Sequence, residues 1–358
     1  MRRTTPFLLA AICGAFLATT ASAQSEWTCP EGFAGQTLSV YNWSTYIAED
    51  TIANFEAACD VRVIYDTYPT DDDMLVRLRQ GNPGFDVVVP SDVVASLMIA
   101  EGLLEELDHA RIPNLANVAP TFLDLAFDPG NRYTVPYQWG TTGIGYNADR
   151  VDEVTSWADL FEHDGPVAWL ADTTQMLGVA LIMTGHDPNS SDPDELEEAK
   201  RFLIDNGRNV VYIAGDDGQE MLARGEVDMV VEYSGDIFQV MDECECDTYG
   251  YVIPAEGANF WVDSLAIPRG APNAALAHAF IDYVLDPHVG ADISSYTAYG
   301  TPNQAALDLG LIDEELASDP GIYPSEETQE RLFFAVQDEE REALLNEAWD
   351  EIRIFVGQ

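Results

Sequence analysis

Residues 37–65 read TLSVYNWSTYIAEDTIANFEAACDVRVIY, and their pattern decides the class of fold. Leu38–Trp43 is a short apolar and aromatic run of the kind that forms a strand. Glu49–Cys59 carries a helical period, and Val61–Tyr65 returns to strand. A strand, a helix and a second strand in immediate succession predict parallel α/β packing. Working outward, Asp72–Gln80 reads as a helix, Phe85–Pro90 as an apolar strand and Val93–Glu101 as a helix. Tyr133–Asn147, rich in aromatics and glycine, reads as a connection that leaves this first lobe.

A second α/β series follows. Val167–Leu170, Asn209–Ile213, Val227–Glu232 and Phe260–Pro268 read as strands. Pro193–Asp205, Gly218–Arg224, Gly235–Met241 and Ala274–Leu285 read as helices. The end, Glu339–Phe355, is one long helix with Leu344, Leu345, Trp349, Ile352 and Phe355 on its apolar face. No internal repeat or low-complexity linker is present, so the lobes are expected to be joined by chain crossings.

The first 23 residues read as an export signal. Arg2 and Arg3 start it, Pro6 to Ala18 is apolar, and Ala21-Ser22-Ala23 offers a cleavage site before Gln24. A lipid anchor on Cys13 competes with this reading, but Ile12 sits where a lipoprotein signal wants a small residue. The apolar run is short of the ~20 residues a membrane helix needs. Cleavage leaves 358 − 23 = 335 residues, more than one hydrophobic core usually serves.

Charge is the extreme feature: 16 basic residues against 63 acidic ones, a net of −47. The signal holds two of the arginines and no acid, so the mature chain carries 14 − 63 = −49. Such a surface repels nucleic acid and anionic lipid, and both drop out as partners. It matches an acidic surface suited to a saline exterior, or a field that steers a cationic ligand inward over the ~10 Å that salt permits. Four cysteines remain after cleavage: Cys29, Cys59, Cys244 and Cys246. An even number in an exported chain implies one or two disulfides. Cys29 with Cys59 is a plausible pair, whereas Cys244 with Cys246 would close a very tight ring. Cys-Glu-Cys lacks the partner ligands of a zinc site.

Nothing positive supports catalysis. His109, His163, His186, His278 and His288 form no metal-ligand spacing, and there is no Gly-x-Ser-x-Gly elbow and no Walker loop. Gly143-Ile144-Gly145 is followed by Tyr146 and Asn147, not by the glycine a dinucleotide loop requires. Carboxylate pairs arise by chance in so acidic a chain, so a hydrolase using paired acids stays open as the alternative class. In open α/β sheets ligands sit at the carboxyl ends of strands. Those ends lead into Ser44, Thr45 and Tyr46, into Ser91 and Asp92, into Asp172, and into Tyr233 and Asp236.

Several blocks resemble the periplasmic spermidine/putrescine-binding proteins of ABC importers. They are Val40-Tyr41-Asn42-Trp43-Ser44-Thr45-Tyr46, Asp86-Val87-Val88-Val89-Pro90-Ser91, Phe127-Asp128-Pro129-Gly130-Asn131-Arg132-Tyr133, the run from Val135 to Asn147, the run from Phe260 to Pro268, and Tyr299-Gly300-Thr301-Pro302-Asn303. They keep the family's order and span nearly the whole mature chain. The resemblance implies a two-lobed type II periplasmic-binding-protein clamp, with discontinuous lobes and the ligand in the interlobe cleft. Lobe one is expected from 24–140 plus 264–306, and lobe two from 141–263 plus 307–358. It implies delivery of a polyamine or related amine to a permease, with no cofactor and no metal, and a monomer is the default for a clamp that must open and close freely.

By the same resemblance, Trp43, Tyr46, Tyr233, Trp261 and Tyr299 form aromatic walls. Asp236 and Asp263 grip a terminal ammonium, Asp172 is a further acid, and Ser44 and Ser91 are polar wall positions. Gln337 joins them through a gapped match. As structural alternatives, Trp43 and Trp261 could be core aromatics, and Asp172 and Asp236 helix N-caps. Thr45 and Gln175 stand where the family commonly has acids, and Val93 where it has an aromatic or hydroxyl residue. These departures predict a less charged far end and a preference for putrescine over spermidine, unless Asp92 compensates. An anion binder would need basic residues or backbone donors at helix starts. An iron binder would need more than Tyr233 with Tyr299.

Overall fold

The computed structural model describes residues 25, 27–215, 217–244, 246, 248–336 and 339–357. The expected signal, 1–23, lies outside them, as does Gln337. In chain order the first elements are β1 (Thr37–Asn42), α1 (Thr51–Cys59), β2 (Arg62–Thr67), α2 (Asp71–Arg79), β3 (Val87–Val88), α3 (Asp92–Ala100) and β4 (Thr134–Asn147). Then come α4 (Trp157–Glu162), β5 (Val167–Leu170), α5 (Thr173–Met183), α6 (Pro193–Asn206), β6 (Val210–Ala214), α7 (Gly218–Ala223), β7 (Met229–Tyr233) and α8 (Ser234–Cys244). The last are β8 (Tyr249–Val252), β9 (Phe260–Ala266), α9 (Ala274–Val284), α10 (Pro287–Thr297), α11 (Gln304–Asp308), α12 (Glu314–Ser318), α13 (Glu326–Gln329) and α14 (Glu339–Val356).

The strand order is β2-β1-β3-β9-β4-β7-β5-β6, with β8 also against β4. β1 pairs in parallel with β2 and β3, and β5 in parallel with β6 and β7. The antiparallel pair β9–β4 joins these halves. Tyr133–Asn147 is therefore no loose connection. Its backbone is one long strand, hydrogen-bonded to β9 through Thr134–Thr141 and to β7 through Thr142–Tyr146.

Each half buries its own core. One gathers Leu38, Phe55, Met74, Met98, Leu265 and Phe280; the other gathers Trp157, Trp169, Leu177, Val231, Leu345 and Trp349. Tyr233 packs against both. Helix α5 shows why it escaped the sequence reading: Thr174 to Leu181 are all buried, so no polar face marks a helical period. The strand expected over Phe85–Pro90 keeps ladder pairing only at Val87–Val88. In α14, Leu345, Trp349 and Ile352 are buried as expected, but Phe355 is exposed because the helix outruns the core. Cys29 is bonded to Cys59, which locks α1 to the segment before β1, and Cys244 is bonded to Cys246 despite the tight ring. Among the described residues no helix is long and apolar enough to cross a membrane, and no cluster could hold a metal ion.

Candidate functional site

Helices that follow parallel strands begin at the carboxyl edge of their half of the sheet, and here four of them deliver an aspartate to the cleft between the halves. Asp71 opens α2, Asp92 opens α3, Asp172 is the N-cap of α5, and Asp236 lies in the first turn of α8. A fifth, Asp263, comes from β9, opposite Gln138 of β4. All five line one cavity. Among the described residues no lysine, arginine or histidine lines it.

The rest of the wall is largely aromatic. Trp43 and Tyr233 lie 6.4 Å apart between ring centroids, Tyr233 and Trp261 5.5 Å, Trp261 and Tyr299 5.3 Å, and Tyr299 and Tyr46 5.1 Å. All four contacts are edge-to-face, the arrangement the ring quadrupoles favour. Trp43 is fixed by its indole N–H donating to the Val89 carbonyl at 3.1 Å. The Tyr46 backbone carbonyl accepts from the Tyr137 hydroxyl at 2.6 Å. Close approach of these rings depends on glycine. A Cβ on Gly140 would lie 2.6 Å from the Trp261 ring, and one on Gly235 2.6 Å from the Tyr299 ring.

The carboxylates fall into two groups. In the first, the Tyr299 hydroxyl donates to Asp236 at 2.8 Å, and Asp263 faces the Tyr46 hydroxyl. Burial, then the nearby carboxylates, push both tyrosine hydroxyls well above the ordinary range, so they stay protonated as donors. In the second, Asp172 accepts from the Gln175 backbone N–H at 2.9 Å and from its side-chain amide at 2.8 Å. The Thr142 hydroxyl donates to the other end of the Gln175 amide. Gln175 therefore lines the cavity while holding Asp172 in place. Ser91 caps α3 by accepting from Val94 N–H at 3.3 Å, and its own N–H points to Asp71 at 3.5 Å.

Of the residues singled out from sequence, Trp43, Ser44, Tyr46, Ser91, Asp92, Asp172, Gln175, Tyr233, Asp236, Trp261, Asp263 and Tyr299 all line this cavity. Thr45 does not: at φ 45° its backbone is left-handed, and its side chain points to solvent. Its lack of an acid therefore takes no charge from the cavity. At the far end Asp71 and Asp92 stand beside Asp172, so more carboxyl groups gather there than the departures at Thr45 and Gln175 led one to expect. Asp172 is both an N-cap and a wall residue, so the two readings of it coexist.

Asp71, Thr174, Asn259 and Ala335 also line the cavity and were missed. Asp71 was legible in principle. It follows the end of a parallel strand and the capping residue Thr70, where the strand-end rule points. Thr174 lies in the unrecognised helix α5.

An enclosed acidic and aromatic cleft, set where two α/β cores share crossing strands, defines a solute-binding clamp. The chain belongs to the family described as bacterial extracellular solute-binding protein, whose profile matches residues 50–324. It is 35% identical over 316 residues to the putrescine-binding periplasmic protein SpuD of Pseudomonas aeruginosa, covering 83% of this chain and 86% of that one. It is likewise 35% identical over 297 residues to the spermidine/putrescine-binding periplasmic protein of Escherichia coli, covering 82% and 84%. Among solved structures it matches the spermidine/putrescine ABC transporter substrate-binding protein PotD of Streptococcus pneumoniae with a TM-score of 0.76 at 31% identity, covering 90% and 100%. The fold is that of periplasmic binding proteins, and the chain is a binding protein rather than an enzyme.

Proposed function

We propose that this chain captures a polyamine, putrescine in preference to spermidine, and presents it to an ABC permease. One observation carries the reading: five aspartates and a run of aromatic rings line a cavity that, among the described residues, no basic side chain enters. A buried ammonium needs carboxylate acceptors, and both it and its methylenes favour aromatic faces. Asp236 and Asp263 suit one ammonium, with Trp43, Tyr233 and Trp261 along the methylenes. An anionic solute is disfavoured because the helix starts that would bind it already carry carboxylates. The names of the relatives, putrescine-binding and spermidine/putrescine-binding, support the same class.

The preference for putrescine now has a different basis from charge depletion. A diamine matches two groups of acids within one chamber. A longer triamine would extend into the adjoining cavity at Asp72 and Glu342, where Arg79 already lies 3.6 Å from Glu342. The two cores support lobes of 24–140 with 264–306 and 141–263 with 307–358, closing about β4 and β9. The protein would act as a monomer, exported to the periplasm by the signal in residues 1–23. Calorimetric titration of the ligand-stripped mature protein with putrescine, spermidine and an amino-acid control, at low and high salt, tests this. Saturable one-to-one binding with putrescine tightest supports it, and absence of heat with every amine refutes the ligand.

A further inference from the structure

Arg79 ends α2, in the half built on β1, β2 and β3, and Glu101 follows the last turn of α3 in the same half. The two form a forked pair. Arg79 Nε donates to both Glu101 oxygens, at 3.1 and 3.0 Å, and Nη2 donates to Oε1 at 2.6 Å. Such a fork fixes the plane of the guanidinium. The same Nη2 lies 3.6 Å from Oε2 of Glu342, beyond hydrogen-bond reach, so the attraction there is one of charge. Glu342 belongs to α14, whose Leu345, Trp349 and Ile352 are buried in the core of the other half. Its side chain is 17% exposed and lines the adjoining cavity beside Asp71, Asp72 and Asp172.

Among the described residues no other ion pair crosses from one half to the other. Arg111 and Arg132 find their acids within the first half, and Arg150, Lys200, Arg208 and Arg224 within the second. Like charge makes the single crossing matter. Of the proposed lobes, 24–140 with 264–306 carries 6 − 21 = −15, and 141–263 with 307–358 carries 8 − 42 = −34. Two acidic bodies that close on each other repel over the ~10 Å that salt permits. Arg79 places a cation between them where they meet. Glu101 has already oriented it, so little side-chain freedom is lost when Glu342 arrives.

We propose that Arg79, aimed by Glu101, is a positioning residue that latches the closed cleft by attracting Glu342 across it, and so sets how long a captured ligand is held. The latch goes beyond the ligand reading, since it does not depend on which solute the cavity takes. Opening carries Glu342 away with α14 and leaves Arg79 on Glu101, so the crossing pair forms only on closure. Its loss speeds escape from the closed form and leaves capture by the open form unchanged.

The test is stopped-flow tryptophan fluorescence with putrescine, which separates kon from koff; Trp43 and Trp261 line the cavity and contribute to the signal. Wild type, Arg79→Gln, Glu342→Gln and the double variant are compared. Arg79→Gln separates the latch from the field of the cleft. Loss of a positive charge beside an acidic cavity would by itself slow the escape of a cation, whereas loss of the latch speeds it. Each single variant is expected to raise koff about two- to fivefold, the range of a partly exposed ion pair, with kon nearly unchanged and the double variant matching the singles. A koff unchanged or slower in Arg79→Gln, or single effects that add in full, overturns the latch. Glu342→Gln leaves Arg79 on Glu101, so it decides the matter if Arg79→Gln does not fold, and an unchanged koff there refutes the pair. Absence of any putrescine signal in wild type removes the polyamine reading alone. Small-angle scattering of the ligand-free protein then decides the latch: Glu342→Arg is expected to raise the radius of gyration, and an unchanged radius overturns it.

Discussion

Replacing Asp236 with asparagine removes one charge from the Asp236–Asp263 end while keeping the shape of the side chain. Asp236 is 4% exposed and accepts from the Tyr299 hydroxyl at 2.8 Å, and an amide oxygen can accept the same bond. The aromatic wall should therefore stay in place. What changes is the acceptor offered to the ligand. A hydrogen bond between ammonium and carboxylate contributes about 1.5–3 kcal/mol, and a neutral one about 1 kcal/mol. The difference is roughly 0.5–2 kcal/mol. The ammonium also loses part of its counter-charge in a buried site, which adds to the cost, although Asp263 remains to share it. A total of about 1.5–3 kcal/mol corresponds to a rise in Kd of roughly 10- to 150-fold. Titration calorimetry with putrescine at pH 8 measures it, and a thermal scan of the ligand-free protein controls for folding. Because the substitution relieves charge in a crowded acidic site, the ligand-free protein should be no less stable than wild type. A Kd within threefold of wild type, in a protein that melts normally, would refute the placing of the ammonium against Asp236.

Three further outcomes are expected. Gly235→Ala places a methyl 2.6 Å from the Tyr299 ring, so it should displace that ring from Asp236 and weaken putrescine about tenfold or more by calorimetry. Thr45→Gly relieves a left-handed β-branched residue; about 1–2 kcal/mol of strain less about 0.4–1 kcal/mol of glycine entropy leaves a net gain near 0.5–1 kcal/mol in denaturant unfolding, with unchanged ligand affinity. Ligand-free stability should fall between about pH 4 and pH 8, because Asp71 and Asp92 hold protons in the folded state at pH values where the unfolded chain has lost them. Asp92→Asn is neutral throughout and should flatten that fall; a calorimetric melting series across pH measures it, and an identical slope in the variant would contradict the buried position of Asp92.

The alternation of strands and helices, and most of the cleft, could be read from the chain alone. Period and composition are local properties, and the strand-end rule turns them into a list of wall positions. Ser44, Ser91, Asp172 and Tyr233 follow strand ends directly, while Trp43, Trp261 and Asp263 came from resemblance to a family motif. Helix α5 and the continuity of β4 were not legible. A helix buried on every side has no polar period, and a strand that changes partners midway resembles a linker in sequence.

Sequence by itself determined the α/β class, the acidic character and the residue types that the cleft presents, because these follow from short-range pattern. Only tertiary structure decided which acids act together. Asp71, Asp92 and Asp172 open helices far apart in the chain; parallel pairing gathers the first two at the carboxyl edge of one half of the sheet and the third at that of the other half, and the two halves, joined through β4 and β9, bring those edges together at the cavity. Thr45 left the site for the same kind of reason. One positive φ turns its side chain outward while its neighbours Ser44 and Tyr46 face the cavity, and no periodicity in the sequence carries that angle.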